Sequence, residues 1–155
     1  DLGFPVFKSM NGTFGMCICN DRRWPETFRM LGLQGVELVM VGYNTPVHYP
    51  QAPEHDHLQD FHNHLSLQAG AYQNGTWVAA SAKAGCEEGC DLIGGSCIVA
   101  PTGEIVSQCI TLDDELITHS CDMDLCRLIQ DNIFNFSLHR EPQTYGLITE
   151  TNGKL

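Results

Sequence analysis

Residues 15–26 read GMCICNDRRWPE: an apolar run ends in two cysteines one residue apart, and two arginines and then a proline follow. Pro25 suits the first turn of a helix, where its missing amide hydrogen would have no partner anyway. Phe28, Leu31 and Met30 give that helix an apolar face, and Gly35 closes it. The stretch therefore reads as a strand-to-helix joint. Upstream, FPVFKSM and TFGMCIC flank Asn11-Gly12, a pair that accepts the positive φ angles of a type I′ hairpin. Downstream, VELVMVGY (36–43) is apolar except for Glu37, the pattern of a central strand covered by helices on both faces. Strand, helix and strand make a short crossover unit. Asn44-Thr45-Pro46 then opens a loop at the carboxyl end of the second strand, where open α/β sheets usually hold ligands.

Further along, 46–56 is expected to be irregular. Leu58, Phe61, Leu65 and Ala69 recur at three- and four-residue spacing and predict the apolar face of a helix ending near Asn74-Gly75. TWVAASAK reads as a strand and AGCEEGCDLIGG as a glycine-rich loop. SCIVAP and EIVSQCI read as two strands joined at Pro101-Thr102-Gly103, and ELITHSCD as one more. Asp124 is placed to cap a last helix bearing Leu125, Leu128, Ile129 and Ile133 on one face. The tail from 139 has little pattern. The order of elements gives an α/β fold without internal repeat or linker, a single domain over 1–155.

Composition narrows the functional classes. The 155 residues are 43% hydrophobic, enough for a real core, and carry a formal charge of −11. Nucleic acid and anionic membranes need clustered cations, so neither is expected as the main partner. No apolar run approaches the length of a membrane helix, and no signal peptide is read. Eight cysteines and three sequons, at Asn11, Asn74 and Asn135, raise the alternative of a secreted, disulfide-bonded protein. Cys17, Cys19, Cys97 and Cys109 lie within apolar runs, where a thiol acts as a small hydrophobe, so a reducing, cytoplasmic setting is the simpler reading.

Cys19 ends a strand just before a helix start, with Arg22 and Arg23 close behind. A thiol reacts as its thiolate, which helix amino termini and nearby cations stabilise. The placement thus marks Cys19 as a candidate nucleophile and Cys17, on the other strand face, as a buried structural cysteine. Paired arginines suit a carboxylate; the alternative is a pair of surface ion pairs with Asp21 and Glu26. The run HDHLQDFHNH sets His55 and His62, and likewise His57 and His64, seven apart, too far along a helix to share an ion. Cys86 and Cys90 lack a second matching pair, so no metal site is expected. A nucleophile needs a base and an oxyanion donor. His62 or His64 could serve as base; Lys8, Lys83 and Lys154 are poorly placed.

With these residues in view, GMCICNDRRWPE resembles the cysteine motif of the carbon–nitrogen hydrolase (nitrilase) superfamily, and most closely that of the N-carbamoyl-D-amino acid amidohydrolases. GLQGVELVMVGYNTP, FHNHLSLQAGAYQN and APTGEIV look like further segments of that family, in the same order. The resemblance implies part of a four-layer α-β-β-α sandwich, a Glu-Lys-Cys triad, no metal or organic cofactor, and pairing of sandwiches into a homodimer or homotetramer. It implies that Cys19 is the nucleophile, that the Asn20 backbone amide is an oxyanion donor, that Arg22 and Arg23 surround the substrate carboxylate, and that Asn44 and Thr45 form the pocket loop. The family's Glu and Lys both precede its cysteine. Only 18 residues precede Cys19 here, none matching either motif, so the chain is expected to be the carboxyl-terminal portion of such an enzyme, inactive by itself.

Overall fold

The computed structural model describes residues 3–154. Its centre is a six-stranded mixed sheet in the order β1-β2-β3-β4-β7-β8. β1 (Val6–Ser9) pairs antiparallel with β2 (Gly12–Ile18). β2, β3 (Leu38–Tyr43) and β4 (Trp77–Ala82) run parallel. β7 (Cys97–Val99) and β8 (Ile105–Gln108) complete the sheet antiparallel. The crossovers between the parallel strands are α1 (Pro25–Gly32) and α2 (Gln59–Asn74). The hairpin forms, but its turn falls one residue earlier than expected: Met10 and Asn11 hold the positive φ angles, 47° and 62°, and Gly12 already pairs with Ser9.

Strand pleating sorts the sheet into two unlike faces. Cys17, Val39, Val41, Val78, Ala80, Cys97 and Val99 point to one side and are buried there under Phe28 and Leu31 of α1 and Leu67 and Ala71 of α2. α1 and α2 approach so closely that a Cβ on Gly70 would stand 2.6 Å from the Phe28 ring. On the other face, Trp77 is sealed at one end by Cys126 of α3 (Asp124–Asn132) and by its indole N–H, which donates to the Asp122 carbonyl at 2.9 Å. At the opposite end Met16 and Ile18 are exposed. The expectation that helices cover the central strand on both faces is therefore corrected: one helical layer covers one face, and α3 covers only a corner of the other.

The apolar face expected for α2 is also corrected. Phe61 and Leu65 face outward, while Asn63, Leu67, Gly70, Ala71 and Asn74 are buried. Gly75 ends the helix in the left-handed conformation, as expected. The segment 84–93, expected to be a loop, is a hairpin of β5 (Ala84–Glu87) and β6 (Cys90–Ile93), with Glu88 and Gly89 supplying positive φ at the turn. ELITHSCD forms no strand; Leu116 is 87% exposed and the segment finds no edge to pair with. Asp124 does not cap α3; its own amide is bonded instead by the Asp122 carboxylate at 3.0 Å. Beyond α3 the tail folds into short helical turns, α4 (Phe136–His139) and α5 (Gly146–Glu150). No helix among the described residues is long and apolar enough to cross a membrane.

Candidate active site

β2 and β3 are parallel neighbours, so their carboxyl ends bring residues 19 and 44 together. Cys19 leaves β2 with φ of 48°, an angle that non-glycine residues seldom hold, and opens a 3₁₀ turn over Cys19–Arg23. The expected helix start is therefore a single tight turn, and α1 follows it from Pro25. The turn swings Cys19 out of line with the buried Cys17 and leaves it partly exposed. Its Sγ stands 3.9 Å from Asn44 Oδ1, a weak thiol hydrogen bond. Asn20, second in the turn, is exposed, and an amide at that position has no carbonyl within the turn to bond.

The two arginines part company. Arg22 is 1% exposed. Its Nε and Nη2 donate to Asn63 Oδ1 at 3.0 and 2.8 Å, Nη2 donates to Thr45 Oγ1 at 2.8 Å, and Nη1 donates to the Cys19 carbonyl. The guanidinium carbon lies over the Tyr43 ring, 4.2 Å from its centre. Asn63 Nδ2 in turn donates to Tyr43 Oη at 3.1 Å, and that hydroxyl donates to the Gly95 carbonyl at 3.0 Å. Burial, with Arg23 adding to it, pulls the Arg22 pKa below its usual value. Arg23 is exposed and donates only a long 3.4 Å bond to Gln59 Oε1. Neither arginine forms an ion pair with Asp21 or Glu26 among the described residues. Asp21 instead accepts the Ile18 amide at 3.0 Å.

These residues surround a cleft of about 280 Å³ lined by Cys19, Asn20, Arg22, Arg23, Thr45 and Tyr49, with Pro46 and Gln59. Every sequence-predicted site residue is thus at or beside one opening, Asn44 through its contact with Cys19. Thr45 is buried and its side chain faces Arg22. The lining contains no carboxylate, lysine or histidine. His62 and His64 are not brought to the sulfur: His62 packs edge-on against His55, and His64 lies near Asp60 and Gln108. No three metal-ligating side chains come together among the described residues. The β5–β6 hairpin braces the pocket loop, since Val47 and Ile93 amides bond the Asp91 and Thr45 carbonyls at 2.8 and 3.0 Å.

Sequence reasoning missed Asn63, Tyr43 and Gln59. The signal for Asn63 was present: residues 63, 67, 70 and 74 share one helical stripe, small or polar except for Leu67. The larger apolar residues of the adjacent stripe drew the assignment away.

All eight cysteines are free, but they are not equivalent. Burial pushes the thiols of Cys17 and Cys97 up to about 12 and that of Cys126 up to about 11. At about pH 8, iodoacetamide is therefore expected to alkylate Cys19 while sparing Cys17, Cys97 and Cys126, because attack requires the thiolate. Peptide mapping by mass spectrometry reads this directly, and equal labelling of Cys17 and Cys19 would contradict the site geometry.

The carbon–nitrogen hydrolase family profile matches residues 1–131. A probable nitrilase of Schizosaccharomyces pombe is 28% identical over 142 residues, covering 92% of this chain and 48% of that protein. An N-carbamoylputrescine amidase of Oryza sativa subsp. japonica is 29% identical over 163 residues, covering 99% and 52%. Among solved structures, a carbon–nitrogen hydrolase from Helicobacter pylori G27 superposes with a TM-score of 0.87 at 20% identity, covering 97% of this chain and 54% of that one. The chain spans about half the length of the curated relatives it matches. It belongs to the carbon–nitrogen hydrolase family, and its mixed α/β fold is that of nitrilase-like proteins.

Proposed function

We propose that this chain is the nucleophile-bearing portion of a cysteine amidohydrolase that converts N-carbamoyl-D-amino acids to D-amino acids, carbon dioxide and ammonia. The observation that carries the reading is Cys19 itself: a partly exposed thiol, turned out of β2 by a strained backbone angle into a cleft at the carboxyl ends of parallel strands. Among the described residues the cleft lining has no carboxylate, lysine or histidine, so the thiol proton passes to a carboxylate supplied by the rest of the full-length enzyme. The sulfur bonds to the ureido carbonyl carbon, and the Asn20 amide and an incoming lysine hold the oxyanion. The carboxylic acid so formed returns its proton to the departing nitrogen, ammonia leaves, water cleaves the resulting S-thiocarbamate to regenerate the thiol, and the carbamate formed loses carbon dioxide. The uncovered face bearing Met16 and Ile18 meets a second sheet to complete the four layers, and the sandwiches pair into a homo-oligomer.

Arg23, held at the cleft rim only by its long bond to Gln59 among the described residues, takes the substrate carboxylate. Arg22 holds the Cys19 carbonyl and so positions the nucleophile. The likeness to N-carbamoylputrescine amidases is compatible with carbamoyl chemistry, and the likeness to a probable nitrilase favours a nitrile or simple amide as the second reading. A substrate panel with the full-length protein separates them. Arg23→Ala should raise KM for N-carbamoyl amino acids roughly 10- to 100-fold, the range of a lost charge-assisted pair. Neutral amides and nitriles should be nearly unaffected. Equal changes for charged and neutral substrates would remove the carboxylate from the proposal, and preference for nitriles would favour the second reading.

A further inference from the structure

A second, larger cavity of about 700 Å³ lies between α1 and the folded tail and shares no lining residue with the Cys19 cleft. Its wall is largely apolar, including Met30, Leu33, Ile133, Phe134, Phe136 and Ile148. Two arginines reach it. Arg29 lies over the Phe136 ring at 4.3 Å, and Arg140 lies over the Tyr145 ring at 5.2 Å. Neither forms an ion pair among the described residues, although the chain carries a net charge of −11. Two buried side-chain atoms lack a hydrogen-bond partner among the described residues, Arg29 Nη1 and Asn74 Oδ1, and both belong to residues of this wall. Burial pulls the Arg29 pKa down, and the neighbouring Arg140 charge pulls it further.

A buried guanidinium N–H without an acceptor is unfavourable, and so is a pair of like charges in an apolar setting. An anion placed between the two arginines relieves both. The only carboxylate on the wall is Glu26, so the two arginines outnumber it by one positive charge, which matches a monoanion. The volume is that of an ordinary small-molecule pocket. We propose that this cavity binds a small organic monocarboxylate with an aryl or aliphatic body, its carboxylate on Arg29 and Arg140 and its apolar part among Phe134, Phe136 and Ile148. The site lies one helix away from the nucleophile, since α1 follows directly on the Cys19–Arg23 turn.

Phenylbutyrate and its neutral isostere phenylbutyramide are suitable probes, titrated by calorimetry and by NMR shift mapping on the purified protein. The acid should bind at least about tenfold more tightly than the amide, with shifts centred on α1 and the tail. Arg29→Gln, or Arg140→Gln should the first variant fail to fold, should abolish that preference. Ile148→Trp should block both probes by filling the cavity, and Arg23→Gln should leave both affinities unchanged. Equal binding of acid and amide overturns the proposal. So does the absence of saturable binding up to about 10 mM, or loss of binding in Arg23→Gln. A dimer in sedimentation that excludes phenylbutyrate and dissociates on Arg29→Gln also overturns it, because the cavity is then a subunit interface.

Discussion

Cys19→Ala in the full-length protein is expected to lower turnover of N-carbamoyl amino acids by at least about 10⁴-fold, the scale of losing a catalytic nucleophile. Substrate affinity should change little, because the cleft wall contributed by Arg23, Tyr49 and Gln59 stays intact. Cys17→Ser provides the internal control. Cys17 is buried among Val39, Val41 and Phe28, so serine there places a hydroxyl in an apolar layer and lowers stability without touching the cleft. Steady-state kinetics on both variants, with thermal unfolding alongside, distinguishes them. A Cys19→Ala protein that still turns over would end the assignment of Cys19 as nucleophile. Residues 1–155 alone should be inactive under the same conditions, since no base faces the sulfur among the described residues.

The second large effect concerns Arg22. Arg22→Ala is expected to destabilise the fold by roughly 3–5 kcal/mol and lower Tm by about 10 °C. The substitution empties a fully buried volume and takes the donors from three acceptors at once: Asn63 Oδ1, Thr45 Oγ1 and the Cys19 carbonyl. Arg22→Lys should recover little of this, because an ammonium cannot replace a planar fork that meets three acceptors while lying on a tyrosine ring. Alkylation of Cys19 should become slower or faster in step with the loss, since the turn that aims it is no longer tied down. Arg23→Ala, at an exposed site, should leave Tm within about 1 °C. Differential scanning calorimetry on the three variants is the measurement. An unchanged Tm in Arg22→Ala would mean that the buried network is dispensable.

Much of the site was legible before any coordinates. GMCICNDRRWPE places a cysteine where a strand gives way to a proline-started helix, and GYNTP places the pocket loop at the end of the next strand. Parallel pairing of neighbouring strands then makes their carboxyl ends meet. What the local pattern could not separate was the work of two adjacent arginines. Arg22 and Arg23 are chemically identical and neighbours in sequence. A 3₁₀ turn sends one inward to Asn63, Thr45 and Tyr43 and the other outward to the rim. Only the long-range contacts, with partners 23 and 41 residues away, determine which is which.

The same division holds for the fold. For β1 to β4, β7, β8 and the three longer helices, identity followed from short-range rules: β-rich apolar runs, Asn-Gly at a hairpin, proline at a helix start and glycine at a helix end. These depend on backbone preferences that each residue carries with it. Facing did not follow. α2 turns Asn63, Gly70 and Asn74 inward and Phe61 and Leu65 outward, because close approach to α1 requires small side chains and the Arg22 guanidinium requires an acceptor. ELITHSCD has strand-like composition but reaches no open edge, and 84–93 pairs with itself because its turn residues accept positive φ. The sequence by itself determined most of the elements and where Cys19 falls along them. The tertiary structure alone decided which surfaces are buried, since burial is settled by neighbours that are close in space and far apart along the chain.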